Sequence, residues 1–68
     1  MSKIEKLQKV ILMISESILL LNEFKGDKEV GLGTFFSIEN DITHQERLVQ
    51  KYNSYVKQWK IERTKQSQ

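Results

Sequence analysis

Cysteine and proline are both absent from this chain of 68 residues, and histidine and tryptophan occur once each. Without cysteine the chain has neither disulfides nor thiolate metal ligands. A domain of this size has a marginal core, so helix packing or self-association must stabilise it. Because proline is absent, no residue forbids a long helix. The apolar content of 38% and charged content of 29% indicate a folded helical domain rather than a disordered segment.

Long apolar runs are also missing. The longest are residues 10–14 and 18–21, and Ser15, Glu16 and Ser17 separate them. A spanning helix needs roughly 20 mostly apolar residues, so we predict no membrane span. Acidic residues on both sides of the apolar part and the lack of a small-residue cleavage site argue against a signal peptide. The expected location is therefore cytoplasmic.

The first helix is predicted over about residues 3–25. Ser2 and Glu5 have the spacing of a capping box, while Lys25 followed by Gly26 is a stop pattern with the glycine expected in the left-handed conformation. Large aliphatic residues recur at alternating spacings of three and four, which predicts one face packed against a partner helix. That face comprises Ile4, Leu7, Ile11, Ile14, Ile18 and Leu21.

The second helix is predicted over about residues 38–64, with Ser37 as its cap and a frayed tail at 65–68. A later capping box at Thr43 is the alternative start. Gln45 lies within the apolar face, where it is either partly exposed or a buried polar layer that fixes the register of an assembly. The other members of this face are Ile38, Ile42, Val49, Tyr52, Val56 and Trp59.

The predicted fold class is all-α: a single domain, residues 1–68, that forms an antiparallel two-helix hairpin with an apolar, glycine-containing loop at about 26–36. Helix one is apolar around most of its circumference, so one partner helix cannot cover it. Each large aliphatic side chain left in water loses about 1.5–3 kcal/mol of burial. We therefore predict a homodimeric four-helix bundle or a larger helical oligomer. The interface is predicted at Leu12, Met13, Leu19, Leu20, Ile11 and Ile18.

The predicted loop allows three interpretations. Val30, Leu32, Phe35 and Phe36 are apolar enough to close the open end of a bundle. Residues 30–38 also alternate with the period of a strand, which would need a partner strand. Alternatively, glycine amides before a helix start can hold an anion, although no P-loop Lys-Ser/Thr pair follows. That ligand loop would comprise Gly31, Gly33, Thr34, Phe35 and Phe36.

Charge is distributed unevenly. Residues 1–46 carry five lysines and eight acids, a formal charge of −3, whereas residues 47–68 carry six basic residues and one acid, a charge of +5. A basic helix with aromatic residues is the footprint expected of a phosphate-binding surface. A solvated helix face is the plainer interpretation. The residues concerned are Arg47, Lys51, Lys57, Lys60 and Arg63.

No catalytic, cofactor or metal site is predicted, because His44 is the only imidazole and a triad or metal cluster needs more partners. The sequence favours a non-enzymatic helical regulator or adaptor that self-associates and binds another protein. The alternative is a nucleic-acid-binding bundle that uses the basic face. A third hypothesis is a protein that sequesters a small anionic or nucleotide ligand at residues 31–34.

Overall fold

The computed structural model describes residues 1–66, which form two α-helices, α1 at Lys3–Lys25 and α2 at Leu32–Gln66. The helices pack side by side as a hairpin, and the described residues contain no strand. The all-α, two-helix prediction is therefore confirmed. No helix within residues 1–66 is long and apolar enough to cross a membrane.

The start of α1 is fixed by the capping box. The Ser2 hydroxyl oxygen accepts the backbone N–H of Glu5 at 3.2 Å, and the same hydroxyl donates to Glu5 Oε1 at 3.3 Å. One of the unpaired amides of the first turn is thereby satisfied, and the acidic side chain lies at the positive end of the helix.

The end of α1 differs in one detail from its prediction. Gly26 has φ −85° and ψ −1°, which is right-handed, so the expected left-handed glycine is wrong. Its N–H donates instead to the carbonyl of Glu23 at 3.2 Å, which tightens the last turn. A Cβ on Gly26 would lie 3.6 Å from the Glu23 oxygen, an ordinary contact distance.

The second helix begins at Leu32, six residues before Ile38, and the connection is residues 26–31 rather than 26–36. The Phe35 N–H donates to the Gly31 carbonyl at 2.9 Å, the first bond of the helix. Phe35 lies three residues before Ile38 and so continues the contact face of α2. Residues 32–38 are helical and adopt neither the loop nor the strand that their sequence pattern allowed, and the Phe35 ring on this turn is half-buried.

Thr43 lies well inside α2, where its hydroxyl donates to the Glu39 carbonyl at 3.1 Å, so the later capping box is not used. At the other end α2 continues to Gln66. The predicted fraying of residues 65–68 falls partly on residues 67–68, which lie outside the described residues.

The core lies between the two helices and is small. Ile4, Ile38, Ile42 and Val56 are each less than a tenth exposed. The hairpin measures 56 × 18 × 11 Å, and its radius of gyration of 16.2 Å compares with about 11 Å for a compact domain of this length. Two helices side by side form a single layer, so both broad sides of the layer face solvent.

The second helix is longer than the first, with 35 residues against 23. Lys25 at the end of α1 contacts Glu39, and Lys3 at its start lies over the Trp59 ring at 4.4 Å. Consequently α2 extends past α1 at both ends of the hairpin.

Candidate functional site

The candidate site is the apolar surface that α1 leaves uncovered. The contact face of α1 packs on α2, yet large apolar side chains also point to both broad sides of the layer. Such exposure is uncommon for a soluble monomer, whose apolar patches are small and scattered. We name the two sides after one exposed residue each, the Met13 side and the Leu19 side.

The Met13 side carries a regular stripe of α1 residues. Its members follow spacings of three, four, three and four, which places them on one face about 110° from the contact face at 100° per residue. Met13 is 64% exposed, Leu20 is 65% exposed and Phe24 is 55% exposed. The stripe consists of Val10, Met13, Ser17, Leu20 and Phe24.

Opposite charges terminate this stripe. Lys6 lies four residues before Val10, and Asp27 lies three residues after Phe24, so both continue the same spacing. Asp27 follows the end of α1, and it lines one concavity together with Met13, Leu20 and Phe24. Its carboxylate accepts the Glu29 N–H at 3.0 Å, which orders the turn that holds it.

The Met13 side also includes a groove between the helices. Val10, Met13 and Ser17 of α1 line one wall, and His44, Gln45 and Leu48 of α2 line the other. The Gln45 side-chain oxygen is buried there without a hydrogen-bond partner. A buried acceptor without a partner costs about 1–3 kcal/mol, so Gln45 is expected to lower the stability of the packing at this groove.

The Leu19 side is less continuous. Leu12 is 58% exposed and Leu19 is 66% exposed, but the residues of α1 around them are mainly polar. A second groove lies here, lined by Ser15, Ile18 and Leu19 of α1. Its α2 wall is formed by Glu46, Val49 and Gln50.

The six residues predicted as an interface therefore divide into three groups. Met13 and Leu20 lie on the Met13 side, and Leu12 and Leu19 lie on the Leu19 side. Ile11 and Ile18 are half-buried, since they belong to the face that packs on α2. Four of the six thus remain available to a further partner.

The basic residues of α2 are exposed but do not share a face. At 100° per residue, Arg47 and Lys51 lie on the back of α2, away from α1, whereas Lys60 lies roughly 180° from Lys51. Lys57 occupies an intermediate direction. Arg63 lies near the start of α1, in a hollow with Lys3 and Glu62. The charge therefore winds around the second half of α2 instead of forming one strip.

The predicted ligand residues lie at the start of α2. Gly31 precedes the helix, and Gly33 and Thr34 belong to its first turn, all exposed. A Cβ on either glycine would meet no atom within 4 Å, so neither position needs a glycine for close approach.

The two phenylalanines of that loop have different environments. Their rings are 5.6 Å apart and nearly perpendicular. Phe35 is half-buried, with Lys25 Nζ at 5.6 Å from the ring centre, whereas Phe36 is 58% exposed. Phe35 therefore serves the hairpin contact, while Phe36 adds to the exposed apolar surface.

His44 is exposed on the wall of the Met13-side groove. Within the described residues, no group of three or more acidic, histidine or cysteine side chains is arranged to hold a metal ion.

The sequence interpretation missed Val10, Ser17 and Phe24 as members of the stripe. The predicted interface contains Met13 and Leu20, and spacings of three and four connect these two residues to Val10, Ser17 and Phe24. That connection was visible in the sequence, because the same spacing defines the contact face.

Comparison with protein-family models, with curated proteins and with solved structures gave no match.

Proposed function

We propose that this protein is a non-enzymatic helical regulator or adaptor, which self-associates and acts by binding another protein. The observation that carries the proposal is the exposed apolar surface of α1, where Leu12, Met13, Leu19 and Leu20 are each more than half exposed. Leu12 and Met13 are adjacent in sequence but lie on opposite sides of α1, and the same holds for Leu19 and Leu20. A single partner element can therefore cover only one of the two sides.

The solvent-accessible surface area of the hairpin indicates how large an interface would be needed to cover its exposed apolar residues. The hairpin exposes 5555 Å². A compact monomer of 8.1 kDa exposes about 4,500 Å², so the hairpin has an excess of roughly 1,000 Å². A stable interface of standard size covers about 800 Å² on each partner. One protein interface therefore removes an excess of this size.

The free energy gained by burying these side chains is large compared with the stability of a small domain. Each large aliphatic side chain moved out of water contributes about 1.5–3 kcal/mol, and a small domain is stable by only about 5–15 kcal/mol in total. The folded state is thus expected to depend on association, as in small obligate dimers.

Sedimentation equilibrium or light scattering at micromolar concentration tests the proposal. We expect a mass of at least twice 8.1 kDa and a melting temperature that rises with protein concentration. A folded species of 8.1 kDa whose melting temperature is independent of concentration would contradict self-association.

Partner binding needs a separate experiment. The tagged protein and a Leu19→Glu variant are each used to recover partners from host extract, with and without nuclease. Recovery of one protein by the wild type, insensitive to nuclease and lost in a variant that remains folded, supports the adaptor role. Nuclease-sensitive recovery would instead favour the nucleic-acid-binding alternative.

A further inference from the structure

We propose that a second copy of this chain binds the Met13 side, with the two α1 helices antiparallel and crossing near Ser17. This inference rests on the proposed self-association and adds which side is used and in which direction. The Leu19 side remains exposed in such a dimer.

The stripe is symmetric about Ser17. Read from either end it has the same order, two apolar residues, then Ser17, then two apolar residues. An antiparallel copy therefore sets Met13 opposite Leu20 and Val10 opposite Phe24, with the small serine at the crossing point. A two-fold interface requires self-complementarity of this kind, because one patch must fit itself.

Charge also favours the antiparallel direction. Lys6 ends the stripe on one side and Asp27 ends it on the other. Antiparallel packing places Lys6 opposite the partner's Asp27 at both ends of the contact. A parallel pair would instead set lysine against lysine and aspartate against aspartate. Interfaces select orientation by such complementarity, since like charges in contact are costly.

The charged residues beside the stripe also favour the antiparallel direction. Lys9 and Glu23 lie beside the stripe on its outer edge and are both exposed. In an antiparallel pair they approach each other across the interface, which gives two further pairs of opposite charge. Glu16 lies near the crossing and would approach its own copy, which is a like-charge contact of this arrangement.

The Leu19 side lacks these properties. Leu12 and Leu19 are the exposed apolar residues that α1 presents there, and their neighbours one turn away include Gln8, Ser15 and Asn22. The Met13 side offers a longer stripe, and its groove adds Leu48 from α2 to the same surface.

Leu19 and Leu20 provide a matched pair for the test. They are adjacent in α1 and almost equally exposed, at 66% and 65%, yet they lie on different sides. Glutamate has nearly the helix propensity of leucine, so both variants keep the intrinsic helicity of α1, and a loss of folded protein in Leu20→Glu alone reports the loss of the dimer. We expect Leu20→Glu to weaken dimerisation about 100-fold or more, because it buries two unpaired charges. Leu19→Glu should leave the dissociation constant within about threefold of the wild-type value, since that side stays in water.

Cross-linking tests the direction. The chain contains no cysteine, so Ser17→Cys and Ser15→Cys each introduce a single thiol at a half-buried serine of α1. Under mild oxidation we expect a disulfide-linked dimer from Ser17→Cys and none from Ser15→Cys, which lines the Leu19-side groove. Circular dichroism of each reduced variant establishes that it is folded.

The outcomes separate the two proposals. A monomeric wild-type protein would overturn both. A wild-type dimer that Leu19→Glu disrupts and Leu20→Glu does not would overturn the choice of side but leave self-association intact. A dimer that Leu20→Glu disrupts while Ser17→Cys fails to cross-link would overturn the antiparallel crossing at Ser17.

Discussion

Lys25 Nζ lies 3.0 Å from Glu39 Oε1 and joins the last turn of α1 to the beginning of α2. The two side chains are 25% and 45% exposed, so solvent screens the pair. We expect Glu39→Gln to lower the free energy of unfolding by about 0.2–1 kcal/mol. Urea titration of single variants at Lys25 and at Glu39 and of the double variant measures the coupling free energy between the two side chains. A coupling near zero would show that the contact is not stabilising.

Two isoleucines of α2 compare the core with the overhanging end of the helix. Ile42 is 6% exposed and Ile61 is 48% exposed. Ile42→Ala should lower the free energy of unfolding by about 2–5 kcal/mol, since it leaves a cavity between the helices. Ile61→Ala should change it by less than about 0.5 kcal/mol. Denaturant unfolding at one fixed protein concentration measures both, and equal losses would contradict the assigned packing.

Gln45 offers a test of its unpaired acceptor. We expect Gln45→Leu to raise the free energy of unfolding by about 1–3 kcal/mol, because it removes a buried oxygen without a partner. If Gln45 also fixes the register of the assembly, sedimentation of the variant should show several oligomeric species. Gln50→Leu is the control, since Gln50 is exposed on the other side of the layer. A loss of stability in Gln45→Leu would show that this oxygen is hydrogen-bonded in solution.

Charge reversal tests the antiparallel arrangement independently of apolar burial. Lys9→Glu sets one glutamate against the partner's Glu23 in each of two contacts, so the dimer should weaken by about 0.4–2 kcal/mol in total. Adding Glu23→Lys to the same chain should restore the dissociation constant, whereas in a parallel dimer the double variant would bring no recovery. Sedimentation at low salt gives the sharpest reading, because salt screens exposed charges.

Glu16→Gln tests the same arrangement, but it should strengthen the dimer where Lys9→Glu weakens it. It removes the like-charge approach at the crossing, and the dimer should tighten by up to about 1 kcal/mol. Sedimentation at the same low salt concentration measures it, and unchanged or weaker association would place Glu16 away from the two-fold axis.

The sequence predicts the two helices well because their contact faces keep a regular spacing and Ser2 provides a specific cap. It does not predict the start of α2, since the glycines of residues 31–33 favour a loop locally while the packing of Phe35 favours another turn of helix. The sequence also does not predict the conformation of Gly26, because glycine adopts right-handed and left-handed backbone conformations with similar ease. At the candidate site, spacing alone separates Leu19 from Leu20, but only the position of α2 shows that they belong to opposite sides of a layer.

The unequal lengths of the helices affect the electrostatic shape of an antiparallel dimer. The end of α2 that runs beyond the start of α1 carries Lys60, Arg63 and Lys65 against the single acid Glu62, while at the loop end Asp27 and Glu29 are balanced by Lys25 and Lys28. Two-fold pairing sends these cationic ends in opposite directions, so the particle becomes a rod with a positive pole at each tip. The distance between the two cationic ends is then set by the length of α2 and by the position at which the α1 helices cross.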